Sequence, residues 1–125
     1  MTQDEFETMV KQYYKEGVIL YIVEPGQEAW LNKATLSVAI RGEVTVEMRN
    51  MARLIRDTAI TGGKLVSLAH FRTQGRDQVS LDAEVDVVAT VGFDLDGLPG
   101  SNLVTIKKWR GYDAIPSPGV WPATN

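Results

Sequence analysis

Apolar residues open the chain at Phe6, Met9, Val10, Tyr13 and Tyr14, the three-and-four spacing of one helical face. Thr2 and Glu5 stand three apart just before them. In that T-x-x-E arrangement the hydroxyl meets the Glu5 amide and the carboxylate reaches back, so the spacing predicts a capped helix. Acids at its start, Lys11 and Lys15 near its end and Gly17 beyond suit the helix dipole and a left-handed stop. The next run, Val18 to Val23, is unbroken, apolar and rich in β-branched residues, which predicts a strand buried on both faces. Glu24-Pro25-Gly26-Gln27 then turns the chain.

Residues 28–34 suit either a short helix or an extended segment. Alternation of Leu36, Val38 and Ile40 with Ser37, Ala39 and Arg41 predicts a strand over Lys33 to Arg41. Met48, Met51, Ala52, Ile55 and Ala59 mark a second helix, Thr45 to Ile60, stopped by Gly62-Gly63. Lys64 to Phe71 reads as a strand, and Arg72 to Asp77 as a hairpin loop. From Val79 to Phe93 odd positions are apolar, while Ser80, Asp82, Glu84, Asp86 and Thr90 stand among the even ones. That pattern predicts one long, half-exposed strand with a bend. Asp94 to Ser101 is a second hairpin loop, and Asn102 to Arg110 a last strand.

The predicted order is α-β-β-α-β-β-β. The expected fold is a single α+β domain over residues 1–111, with a mainly antiparallel sheet of about five strands and both helices on one face. Residues 112–125 form an extended arm. Pro116, Pro118 and Pro122 favour open backbone, and Ile115, Val120 and Trp121 are apolar groups that need a surface.

Composition narrows the chemistry. The 125 residues contain no cysteine, which excludes disulfides, thiolate zinc sites and cysteine nucleophiles. A net charge of -3 argues against a general nucleic-acid binder. No apolar run approaches the roughly 20 residues of a bilayer span. The acidic start MTQDEFE is the reverse of a signal peptide, so a cytoplasmic or, if phage-encoded, virion location is expected.

Individual motifs read mostly as structure. His70, the only histidine, lies among apolar strand residues without a nucleophile elbow near Ser67 or Ser80. Asp94-x-Asp96-Gly97 lacks the further oxygen ligands of a calcium loop and is turn chemistry. Gly62-Gly63-Lys64 follows a helix, the reverse of a phosphate loop. Asp82, Glu84 and Asp86 form an acidic row, and Arg49, Arg53 and Arg56 a basic helix flank that can pair with it. No catalytic set, metal site or cofactor motif emerges.

The expected function is therefore a non-enzymatic interaction or assembly module that self-associates through strand surfaces and its arm. Small size, absent cysteine and a joint-like tail suit a structural or adaptor protein of a phage or prophage particle. Partner contacts are expected at Trp109, Tyr112, Ile115, Val120 and Trp121. Two alternatives stay open. One is a small-molecule-binding domain or enzyme with a pocket lined by Tyr13, Tyr14, Trp30, His70 and Trp109. The other is a single-stranded nucleic-acid binder using Lys107, Lys108 and Arg110 with the neighbouring aromatics.

Overall fold

Thr2 starts the first helix as its spacing requires. Its Oγ accepts the Glu5 amide at 3.2 Å, and Glu5 Oε1 accepts the Thr2 amide at 2.9 Å. The computed structural model describes residues 1–73, 80–111 and 115–125. In chain order its helices and strands are α1 (Gln3–Lys11), β1 (Gly17–Val23), β2 (Val38–Arg41), α2 (Val46–Thr61), β3 (Leu65–Phe71), β4 (Val87–Phe93), β5 (Pro99–Trp109) and β6 (Val120–Pro122). This is a single α+β domain built on one six-stranded sheet, ordered β2-β3-β1-β4-β5-β6. The loop expected at Arg72 to Asp77 and the start of the long strand at Val79 lie mostly outside the described residues.

The antiparallel pairing expected of the sheet holds where β5 meets β4 and β6. The other four strands differ: β2, β3, β1 and β4 run parallel. The physical reason is burial. All seven residues of β1 and all seven of β4 are buried, as parallel strands covered on both faces require. Nor do the helices share a face. Ile19, Tyr21 and Val23 face α1 through Phe6 and Val10, whereas Val18, Leu20 and Ile22 face α2 through Ala52. An unbroken apolar strand presents two hydrophobic surfaces, and one helix cannot cover both.

Two expected strands are shorter than the alternation suggests. Lys33–Thr35 is a turn of 3-10 helix, because the Asn32 side chain accepts the Ala34 amide at 3.1 Å and diverts the backbone. Asp82–Glu84 is another such turn. Leu81 and Val85 on either side of it both bury into the α2 face, which imitates a period of two in sequence. The arm contributes an unexpected sixth strand: Val120, Trp121 and Pro122 pair with Thr105, Val104 and Leu103.

Beneath α1 lies a buried polar knot. Glu7 Oε2 accepts hydrogen bonds from Gln3 Nε2 at 2.8 Å, Tyr21 OH at 2.6 Å and Ser67 Oγ at 3.2 Å. Burial, and then the Glu7 carboxylate, hold the Tyr21 phenol well above its usual 10.0. A raised pKa contributes stability that is present below the unfolded value and lost as pH rises beyond it. Stability therefore falls above a pH of about 10. Tyr21→Phe should flatten that alkaline decline in pH-dependent denaturant melts, while an unchanged slope would remove Tyr21 as its source.

Candidate functional site

Three regions carry the side chains that the sequence marks for chemistry or contact. The first is a charged junction where α2, the Asp82–Glu84 turn and β5 meet. Arg56 grips Asp86 through Nε and Nη2 at 2.9–3.2 Å, and Asp86 Oδ2 also accepts the Val18 amide at 2.9 Å. Gly17 makes this approach achievable: its φ is +126°, and an added Cβ would stand 2.5 Å from Asp86 Oδ2. Arg53 forms a two-point pair with Glu84 at 3.0 and 3.1 Å. That guanidinium holds the Glu84 carboxyl below its ordinary range. Lys107 pairs with Asp82 at 3.1 Å. All three carboxylates of the acidic row thus have a basic partner.

The same junction absorbs the basic cluster of the last strand. Lys108 Nζ donates to Asp82 O at 2.5 Å, and Arg110 Nη2 to Ala83 O at 2.9 Å. Burial is the main cause of the lowered Lys108 pKa, with Arg110 adding to it. Trp109 points to the opposite face, buried edge-to-face against Tyr13 and Tyr14 at 5.3 and 4.9 Å between centroids. Among its described residues the cluster therefore presents no open row of alternating bases and rings.

The second region is the aromatic core under α1. Phe6 is fully buried, with Tyr21, Trp30 and Trp121 around it at 5.9, 6.5 and 6.2 Å. Trp30 Nε1 donates to Met1 O at 2.9 Å, and the Thr124 amide donates to the same oxygen at 3.0 Å. The arm is thereby laid on its own domain: Trp121 and Val120 are half-buried and Ala123 is buried. Ile115 remains 47% exposed. Tyr112, the remaining expected contact, lies outside the described residues. Of the residues proposed for a pocket, Tyr13, Tyr14 and Trp109 meet at one end and Trp30 joins Phe6. His70 is buried in the sheet, its Nε2 2.8 Å from Gly42 O. Tyr14, Trp30, His70 and Trp109 are buried, Tyr13 is 40% exposed, and Trp30 also lines a cleft of about 310 Å³ with Thr2, Leu31 and Asn32. A cleft of about 430 Å³ lies elsewhere, between Thr90, Thr105, Lys107 and the Asp94–Gly97 turn. Among the described residues, no group of three or more His, Asp or Glu is placed to hold a metal ion. Among the same residues, no helix is long and apolar enough to cross a membrane.

The third region was not legible as a site in sequence. On α2 the arginines turn toward the Asp82–Glu84 turn, while Met48, Met51 and Ile55 lie on the other flank. There they are only partly buried and pack against the same buried cluster as Val38 of β2 and Val66 of β3. A half-covered apolar flank thus runs beside β2, the outermost strand on that side of the sheet. Sequence shows which residues are apolar on α2 but not which strand ends its cover.

Compared with protein-family models, curated proteins and solved structures, the chain shows no significant match to any of them.

Proposed function

We propose that this chain is a non-enzymatic assembly module that associates with copies of itself as a structural or adaptor component. The observation that supports the reading is the combination of a sheet edge at β2, which no described strand extends, with the partly buried apolar residues Val38, Met48, Met51, Ile55 and Val66. Methionines on such a flank repack readily against a second surface. Edge strands offer main-chain donors and acceptors that another chain can use. By contrast, the acidic row and the histidine are engaged in holding the fold: Asp82, Glu84 and Asp86 in ion pairs, His70 against Gly42.

Sedimentation velocity on the full chain tests the reading. The expected result is a mass that rises above one chain with concentration. A single-chain mass throughout, paired with tight and salt-sensitive binding to a single-stranded oligonucleotide, would replace it with the nucleic-acid reading.

A further inference from the structure

We infer that β2 is the joint at which two copies of this chain meet, edge to edge and antiparallel, with Ile40 on the two-fold axis. The inference rests on the self-assembly reading and adds the surface and the register.

The outward-facing backbone groups can be identified. Gly17 N–H donates to Lys64 O, and Arg72 N–H to Val23 O, both at 2.9 Å. Those bonds turn the even-numbered groups of β3 toward β1. By the alternation of a strand, Ser67, Ala69 and Phe71 turn theirs toward β2. In the observed register, Val38 opposite Leu68 and Ile40 opposite His70, their partners are the amides and carbonyls of Val38 and Ile40. Ala39 and Arg41 therefore direct N–H and C=O away from the sheet. Ser37 departs from the alternation, since its N–H donates to Ser67 O at 2.8 Å.

Antiparallel continuation of the sheet requires opposed residues to share a face, and outward residues to exchange hydrogen bonds. Three registers meet both conditions. Placing Ala39 against its own copy sets Arg41 opposite Ser37, whose amide is already committed. Placing Arg41 against its own copy opposes two guanidinium groups. It also carries the pairing past Gly42, which leaves the strand at φ +84° and gives its carbonyl to His70. Placing Ala39 against Arg41 avoids each fault. It forms two such pairs, each exchanging both main-chain bonds, and sets Ile40 opposite Ile40.

The side chains agree with that register. Ala39 and Arg41 are exposed. Arg41 lies over the Phe71 ring at 4.4 Å, on the sheet face rather than across the edge. Small Ala39 leaves room for the Arg41 stem of the second copy. On the other face Val38, like the methionines of α2, packs partly buried against the cluster that contains Ile40. A patch that is its own complement is what a two-fold dimer needs, which favours a second copy over an unrelated strand. One short strand makes a small joint, so the dimer is weak and concentration-dependent.

The exposed position Ala39 permits a test that leaves the core intact. Ala39→Lys places an ammonium opposite Arg41 of the second copy and should weaken dimerisation about tenfold or more. Ala39→Glu places a carboxylate there and should tighten it roughly three- to tenfold at low salt, the gain fading at high salt. Because the chain has no cysteine, single introduced thiols report the axis. Ile40→Cys should form a disulfide dimer under mild oxidation, and Ala39→Cys should not. If the chain associates but the Ala39 variants leave its dissociation constant unchanged, the joint lies elsewhere and the assembly reading stands. Cross-linking at Ala39→Cys in place of Ile40→Cys overturns the register. A monomer at every concentration, with no cross-link in either variant, overturns both readings.

Discussion

Asp86→Ala should cost about 3–5 kcal/mol and lower the melting temperature by roughly 10–20 °C. Asp86 is 5% exposed, and its loss strands two groups at once. The Val18 amide loses its acceptor at the start of the central strand, a penalty of about 1–3 kcal/mol. Arg56 loses a two-point partner while its own side chain is 27% exposed. Water reaches part of that guanidinium, so its share falls below the full cost of an unpaired buried charge. Two companion variants separate the contributions. Asp86→Asn keeps an acceptor for Val18 and should recover about half of the loss. Adding Arg56→Met to Asp86→Ala removes the stranded charge and should also recover stability. Chemical denaturation of the set is decisive: a loss below about 1 kcal/mol for Asp86→Ala would mean that the junction is surface electrostatics only.

Phe6→Ala should destabilise by a similar amount, about 3–5 kcal/mol, through packing alone. Phe6 is fully buried between α1 and the sheet, and three aromatic rings turn their edges or faces toward it. Deleting the ring leaves Tyr21, Trp30 and Trp121 around a cavity. Because Trp121 belongs to β6, the damage should spread to the arm. Tryptophan emission should shift to the red, and proteolysis should nick the chain near residues 115–119 while the remainder is still folded. If stability falls but Trp121 keeps its environment, then α1 and the arm are held independently.

These two effects mark what was legible in sequence and what was not. The Thr2–Glu5 cap, the first turns of the helical face led by Phe6 and the doubly buried Val18–Val23 run are local patterns that the structure forms. But α1 stops at Lys11, so Tyr13 and Tyr14 lie beyond it and Gly17 opens β1 instead of ending the helix. The Asp86 clamp depends on residues far apart in the chain, Gly17, Val18, Arg56 and Arg110, so no window reveals it. Asp82, Glu84 and Asp86 alternate with apolar residues, which imitates a half-exposed strand. A 3-10 turn can bury Leu81 and Val85 with the same spacing. Parallel pairing was hidden for a related reason. Alternation describes one strand at a time, whereas direction depends on the path between strands. The open edge of β2 follows only from the full strand order, since nothing in Val38–Arg41 says that it stands last.

The central position of β1 also shapes how the protein is made. Its neighbours in the sheet are β3 and β4, reached at Leu65 and Val87. During synthesis the Gly17–Val23 segment emerges before either and must wait for both. For that interval an apolar, β-prone stretch has no sheet to join, which is the condition under which nascent chains aggregate or recruit chaperones. Closure of distant parallel pairs also slows refolding relative to a domain of local hairpins. A strand buried along its whole length in the finished molecule is thus one that its folding pathway leaves long without partners.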